Sequence, residues 1–370
     1  MGQVELSRHT VDDAALLLAC LRGLPITVPR DADWEGLLGL ASTHGVLPLV
    51  HQSLLAQGIE EPDFFAAAVQ ESVDAAETFA AELESLLEQF AGQKIDLFPL
   101  KGPVLAETLY GSVTLRSCSD LDLLVRPEDF QRAELLLFQI GFTAQPVDDY
   151  HRRFIRDGIS VELHYGIAPL RYFPFDLAGI WARARRGEFR GHPIFIMSAG
   201  DLVLFLCLHG MKHGFSRLIW ILDVARALAR VPDVGYKELA FRARQQGVEP
   251  WLLIGCEMVR EVFPQQLPRE MDALIAQSPQ TAARARGAAA QLFADPVNDY
   301  TIRSLYLQTE RSARWRWRRR FGYFAPTGKD HAWAERHRIY RGIVPVLRPF
   351  RLWQKYGPSR VWRTLFPPRL

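Results

Sequence analysis

Helical periodicity fills both ends of this 370-residue chain and is interrupted only in its middle, which is the feature that most constrains the fold. Leucines recur at helical spacing in residues 11–23 and 33–56, and residues 63–93 form a long Ala-, Glu- and Leu-rich segment with few helix breakers. After Gly92 the pattern changes to short apolar segments separated by turn residues. The sequence therefore predicts an α+β fold, with one small mixed β-sheet between helical regions.

The middle of the chain has the order strand, glycine turn, helix, strand, helix and hairpin. Its predicted strands are 95–100, 120–125, 150–156 and 159–165, and its predicted helices are 103–110 and 127–140. Pro103 suits the first turn of a helix. Asp157-Gly158 is the strongest short hairpin signal in the chain, so the last two strands are expected to pair.

Helical periodicity returns after Ser198, a good N-cap with Asp201 three residues later. Helices are predicted near 198–214, 216–230, 235–247 and 249–263. These patterns divide the chain into an N-terminal helical region (1–93), a sheet-containing core (94–197), a helical domain (198–300) and a C-terminal arm (301–370).

The C-terminal arm is strongly basic, although the whole chain has a net charge of only +2. Residues 301–370 carry 17 Lys/Arg against 3 Asp/Glu, together with five of the nine tryptophans. The arm could dock on the acidic remainder of the chain, bind a nucleic acid or nucleotide substrate, or meet an anionic membrane surface. Docking is favoured, because alternating Trp and Arg can pack and stay solvated at once, whereas scattered prolines and the lack of a clean amphipathic period weaken the membrane interpretation.

Composition argues against several classes of protein. The N-terminus has acidic residues where a secretory signal would be positively charged, and it lacks a small-residue cleavage site. The longest apolar run, around 202–208, is far too short to cross a bilayer, so no transmembrane segment is predicted. Four widely separated cysteines form no CxxC pair, which favours neither a disulfide framework nor a zinc site. We expect a cytoplasmic protein.

Three acidic residues are predicted to meet on the sheet. Asp120 and Asp122 lie two apart on one strand and so project from the same face, with Cα atoms roughly 6.6 Å apart. Glu162 comes from the neighbouring strand and is the natural third carboxylate. Adjacent carboxylates repel unless a cation lies between them, and oxygen ligands of this kind suit Mg²⁺. The alternative is that the Asp pair is simply a solvated strand edge.

Context favours the metal interpretation. Lys101 and Gly102 form the turn before a predicted helix, where backbone N–H groups, the helix dipole and a cation can receive a phosphate. Arg116 and Ser119 add a second cation and a hydroxyl just before the acidic pair.

Further polar residues have more than one interpretation. His164 is expected on the same strand face as Glu162. His209 and His213 lie four apart on one helix face and could be substrate-facing residues, capped or core histidines, or metal ligands, although no third ligand at zinc-like spacing is visible. Lys212 could reach a phosphate or be solvated, and Asp223 could form a buried salt bridge with one of these cations. All five are candidate substrate-facing residues.

The combined motifs resemble the bacterial uncharacterised nucleotidyltransferase family of the polymerase-β-like nucleotidyltransferase superfamily. The motifs are Leu100-Lys-Gly, Tyr110-Gly, Arg116-Ser-Cys-Ser-Asp-Leu-Asp-Leu-Leu-Val125, Val161-Glu-Leu-His164, His209-Gly-Met-Lys-His-Gly214 and Trp220-Ile-Leu-Asp-Val224. The resemblance implies a small mixed sheet with flanking helices, two Mg²⁺ ions, and transfer of a nucleoside monophosphate with release of pyrophosphate. One departure is Pro103, since the superfamily usually has Gly or Ser after the turn glycine.

From these observations we expect a Mg²⁺-dependent nucleotidyltransferase, with Mn²⁺ as an alternative ion. Its donor would be an NTP, with ATP favoured, and its acceptor a hydroxyl of an unknown small molecule, sugar or peptide. Asp120, Asp122 and Glu162 would be the catalytic and metal-binding residues, and Lys101, Gly102, Arg116 and Ser119 would bind the nucleotide. The alternative function is a catalytically silent module that binds nucleotide or RNA.

Overall fold

Among the residues that the computed structural model describes, helices outnumber strands, and the strands lie in the middle of the chain, as predicted. The structure describes residues 8–29, 31–145, 150–168, 176–232, 235–263, 266–293, 324, 326, 328–359 and 362. The predicted α+β class is confirmed.

The N-terminal region consists of four helices: α1 (Arg8–Arg22), α2 (Trp34–Thr43), α3 (Leu47–Ala56) and α4 (Asp63–Gly92). The apolar segment 33–56 is divided between two helices, because Gly45 has a φ of +70° and ends the α-helical path. The 30-residue helix α4 is roughly 45 Å long at 1.5 Å per residue.

The middle of the chain forms a five-stranded sheet, a two-stranded sheet and three helices. In chain order its elements are β1 (Phe98–Pro99), α5 (Pro103–Tyr110), β2 (Leu121–Leu124), α6 (Phe130–Gln139), β3 (Thr143–Ala144), β4 (His151–Arg156), β5 (Ile159–His164), α7 (Leu177–Arg183), β6 (Arg185–Phe189) and β7 (His192–Ile196). Short 3₁₀ helices cover Val113–Leu115 and Pro127–Asp129, so the predicted 127–140 helix begins with a 3₁₀ turn.

The larger sheet has the order β1-β2-β5-β4-β3, and it is mixed because β2 and β5 are parallel while the other pairs are antiparallel. The predicted hairpin joins β4 and β5 through Asp157 and Gly158, whose φ values of 49° and 81° are those of a type I′ turn. The predicted 95–100 strand is shortened to Phe98–Pro99 at the sheet edge, where Pro99 needs no N–H partner.

The C-terminal helices are α8 (Ala199–Lys212), α9 (Leu218–Leu228), α10 (Gly235–Gln245), α11 (Glu249–Val262), α12 (Arg269–Ala276), α13 (Pro279–Ala289), α14 (Gly328–Arg336) and α15 (Val344–Tyr356), with a 3₁₀ turn at Arg341–Ile343. Ser198 caps α8 by accepting a hydrogen bond from the Asp201 backbone N–H, as its position predicts. Among the helices of the described residues, none is long and apolar enough to span a bilayer. The Arg- and Trp-rich segment 314–320 lies outside the described residues.

Helix α4 links two buried apolar clusters. Phe65, near its start, belongs to the cluster that also contains residues of the N-terminal helices and of α8, α9 and α11. Phe90, near its end, belongs to the cluster that contains residues of the large sheet and of α6, such as Leu123 and Leu137. Because one rigid helix enters both clusters, the sheet is held against the C-terminal helices.

The division of the chain into four regions stays a prediction.

Candidate active site

Asp122 and Glu162 lie side by side on the two parallel strands at the centre of the large sheet. Their Cα atoms are register partners between β2 and β5. His164 follows Glu162 by two residues on the same face, and its Nε2 lies 3.0 Å from Asp122 Oδ1 and 3.7 Å from Glu162 Oε2. One ligand atom from each of these three residues lies within 4.8 Å of the others, so this cluster could hold a metal ion.

Asp120 lies just before β2, at the edge of this cluster. Its carboxylate is half-buried, and burial followed by the negative charge of Asp122 raises its pKa. This crowding is the repulsion that a bound cation would relieve. His164 is thus a closer neighbour of Asp122 than the sequence alone suggested, whereas the roles of Asp120, Asp122 and Glu162 as metal ligands stay predictions.

Lys101 provides a cation within the cluster. Its Nζ lies 2.8 Å from Asp122 Oδ2, and both side chains are largely buried. Burial alone would raise the pKa of Asp122, but Lys101 and His164 outweigh it and hold this pKa well below its usual range. Burial likewise opposes the charge on Lys101, yet Asp122 and Asp120 raise its pKa. Both groups are therefore charged at neutral pH.

Two residues of β4 that sequence analysis did not select complete the surroundings of Glu162. Arg153 Nη2 lies 2.6 Å from Glu162 Oε1, and His151 Nε2 lies 3.5 Å from Oε2. Burial and Asp122 oppose ionisation of Glu162, but Arg153 and His151 outweigh them and lower its pKa. Glu162 is thus an ionised acceptor rather than a proton donor at neutral pH.

The turn before α5 requires glycine at its last position. Gly102 has a φ of +70°, which L-residues with a side chain rarely adopt, and Pro103 is the first residue of the helix. The Ser119 side chain is exposed, and its hydroxyl lies 3.4 Å from Asp120 Oδ1. Nucleotide binding by Gly102 and Ser119 stays a prediction.

Arg116 and Asp223 form a buried ion pair beside this turn. Arg116 donates from Nε to Asp223 Oδ1 at 3.0 Å and from Nη2 to Oδ2 at 2.8 Å, while the Tyr110 hydroxyl donates to Oδ1 at 2.8 Å. Burial would lower the pKa of Arg116, but Asp223 outweighs it and raises that pKa. The ion pair is one of the alternatives left open for Asp223. The ion pair and the Tyr110 hydrogen bond connect α5 and the loop after it to α9. The phosphate-binding role of Arg116 stays a prediction.

The side chains of His209, Lys212 and His213 form the opposite wall of the site. Lys212 Nζ donates a hydrogen bond to the Tyr150 hydroxyl over 2.6 Å. The rings of His209 and His213 contact Trp220, with centroids 5.5 and 4.8 Å away. Burial and the neighbouring Lys212 lower the pKa of His213 to about 4, and burial with Lys101 lowers that of His209. Both imidazoles are therefore neutral at pH 7.

These two walls enclose a cavity of about 480 Å³, within the range of small-molecule sites. The carboxylate cluster and Lys101 line one side, and the His209, His213 and Trp220 rings line the other. All the residues selected from the sequence except Asp223 line this cavity, while Tyr150, His151, Arg153 and Trp220 were missed.

A five-stranded mixed sheet, a glycine turn at a helix N-terminus and paired acids facing a lysine define a site suited to phosphate-containing substrates. The family described as "Uncharacterised nucleotidyltransferase" matches residues 30–264, and the chain belongs to that family. It is therefore an enzyme that transfers a nucleotide group.

No curated protein matches this chain. Similar solved structures include the solution structure of the antibiotic-resistance factor ANT(2″)-Ia, at 17% identity and a TM-score of 0.36, covering 47% of this chain and 96% of that one. A crystal structure of ANT(2″)-Ia in complex with adenylyl-2″-tobramycin has 17% identity and a TM-score of 0.33, and the match covers 45% of this chain and 99% of that one. These likenesses are too distant to indicate a substrate for this chain.

Proposed function

We propose that this nucleotidyltransferase moves an NMP group from an NTP, with ATP favoured, to a hydroxyl of a small molecule, sugar or peptide, releasing pyrophosphate. The observation that carries the proposal is the convergence of Asp122, Glu162 and Lys101 at the N-terminus of α5. In a metal–triphosphate complex the carboxylates would bind the metal ion, and the lysine and the helix N-terminus would bind the negatively charged phosphates.

The donor set fits a divalent cation. The ionised carboxylates of Asp122 and Glu162 lie beside Asp120, whose pKa is raised by burial and by their negative charge, so a cation bound here would be stabilised by all three residues. We propose Asp120, Asp122 and Glu162 as ligands of Mg²⁺ or Mn²⁺, with His164 orienting Asp122 through its 3.0 Å contact. A bound ion of this kind would supply charge neutralisation and lower the pKa of the acceptor hydroxyl.

The protein side chains have separable tasks in this proposal. Lys101 and the N–H groups at the start of α5 bind phosphate oxygens, and Glu162, ionised at neutral pH, accepts the proton of the acceptor hydroxyl. The opposite wall of His209, Lys212 and His213 binds the remaining substrate atoms. The neutral imidazoles and the Trp220 ring offer that group aromatic faces and uncharged hydrogen-bonding atoms.

The contribution of Lys101 can be tested by binding alone. Lys101→Met should weaken ATP binding by about 1–3 kcal/mol and leave adenosine binding nearly unchanged, since only the phosphates gain a charge-assisted contact. Isothermal titration with both ligands measures this difference. Lys237→Met, which removes an exposed lysine of α10, is the matched control and should bind ATP like the wild type. Equal weakening for ATP and adenosine would show that Lys101 acts only on the fold of the pocket.

A further inference from the structure

Tyr150 and Lys212 meet at the cavity from two different parts of the fold. Tyr150 lies just before β4, on the side of the large sheet, and Lys212 is the last residue of α8. Lys212 Nζ lies 2.6 Å from the Tyr150 hydroxyl, and both residues line the cavity. The hydroxyl therefore contacts a candidate substrate-facing side chain, although Tyr150 takes no part in the proposed metal site.

The Tyr150 side of this contact is fixed by the sheet. The Tyr150 carbonyl accepts hydrogen bonds from the backbone N–H groups of Tyr165 and Gly166, at 3.1 and 3.2 Å, just after β5. The ring is only 8% exposed and lies beside the imidazoles of His151 and His164, with centroids 4.6 and 5.7 Å away. Because backbone and ring are both restrained, the hydroxyl has a defined position at the cavity wall.

The Lys212 side chain is the flexible member of the pair. It leaves the last turn of α8 and is exposed to solvent, and a lysine stem with four carbons has many rotamers to lose when its ammonium is held in place. A lysine ammonium has three N–H donors, so a hydrogen bond to one phenol hydroxyl is compatible with a contact to a phosphate oxygen. The fixed hydroxyl thus restricts where the ammonium lies without excluding an anionic ligand.

Lys212 and Lys101 act on the same part of the cavity. Burial, followed by the charges of Lys212 and Lys101, lowers the pKa of His213 to about 4. Lys101 has Asp122 as a partner at 2.8 Å, and a triphosphate carries more oxygens than one ammonium with three donors can contact. The cavity therefore offers a second cation to the same polyanionic ligand.

We propose that Tyr150 is a positioning residue that holds Lys212 in place to bind phosphate oxygens of the donor nucleotide, those that Lys101 and the start of α5 do not contact. This role rests on the proposed function and specifies one interaction of the same site. The existing contact with Tyr150 reduces the conformational freedom that Lys212 loses when the nucleotide binds, and so raises the affinity. Tyr150 thus acts through Lys212 and not on the reacting atoms.

The test is a double-mutant cycle on ATP binding, measured by isothermal titration with Mg²⁺ and without acceptor. Lys212→Met should weaken ATP binding about tenfold or more, because it removes a charge-assisted contact. Tyr150→Phe keeps the ring, loses the hydroxyl and should weaken binding about three- to tenfold. In the Lys212→Met background, Tyr150→Phe should change the affinity by less than about twofold, since the lysine through which it acts is gone.

Tyr340→Phe and Lys237→Met alter an exposed tyrosine and an exposed lysine outside the cavity, and both variants should bind ATP like the wild type. Circular dichroism and melting temperatures verify that every variant is folded. Additive effects of Tyr150→Phe and Lys212→Met, or an unchanged affinity in either single variant, would overturn the positioning role and leave the proposed function intact. Absence of ATP binding by the wild type would contradict the proposed function and the positioning role together.

Discussion

Asp122→Asn should reduce NMP transfer by about three orders of magnitude or more, because a metal-binding carboxylate supplies several kcal/mol of transition-state stabilisation and each 1.4 kcal/mol is a factor of ten. The Asp122 carboxylate contacts both Lys101 and His164: Lys101 Nζ lies 2.8 Å from Oδ2, and His164 Nε2 lies 3.0 Å from Oδ1. Asn preserves the shape but loses the charge that holds both partners. Turnover is measured as pyrophosphate release, with circular dichroism to verify the fold.

Asp96→Asn is the matched control for this variant. Asp96 is a half-exposed carboxylate between Arg126 and Arg186, away from the cavity, so its loss should leave turnover close to the wild-type value. Retention of more than about a tenth of turnover by Asp122→Asn would contradict the assignment, since it would limit the contribution of the charge to about 1.4 kcal/mol.

Asp223→Ala should lower the free energy of unfolding by about 3–5 kcal/mol, because it leaves the buried Arg116 guanidinium without a counter-ion. The Tyr110 hydroxyl would lose its acceptor at the same time. The measurement is the midpoint of urea unfolding. Arg116→Leu/Asp223→Leu is the informative partner variant: replacing both charges should recover much of the loss.

Urea unfolding, combined with an ATP titration of the same variants, decides whether Asp223 is part of a structural ion pair or faces the substrate. A structural ion pair predicts lost stability in Asp223→Ala that the double variant partly restores. Unchanged stability of Asp223→Ala together with lost ATP binding would instead place its carboxylate on the substrate.

Local signals in the sequence predicted most of the elements that build the site. The Asp157-Gly158 turn, the Pro103 helix start and the Ser198 cap all act within a few residues, and each is present in the structure. The hairpin of β6 and β7 was missed, because its turn places Arg190 at a φ of 48° where Asn or Asp is the usual signal.

Side-chain partners were harder to predict than elements. The two-residue turn at Asp157-Gly158 fixes the pairing of Arg153 with Glu162 and of His151 with His164, so these neighbours could have been found from the hairpin register. Arg116 and Asp223 are 107 residues apart and meet only because α9 packs near α5. No local pattern could choose between the two interpretations of that pair.

The measurement that tests the central claim most directly is intact-mass analysis of candidate hydroxyl acceptors incubated with the protein, Mg²⁺ and each of the four NTPs. We predict an acceptor that gains one NMP group with an equal amount of pyrophosphate, and the loss of both products in EDTA and in Asp122→Asn. Transfer of a phosphoryl group alone, or NMP transfer that continues in full with EDTA, would contradict the account, and NTP binding without product from any acceptor would support a silent binding module.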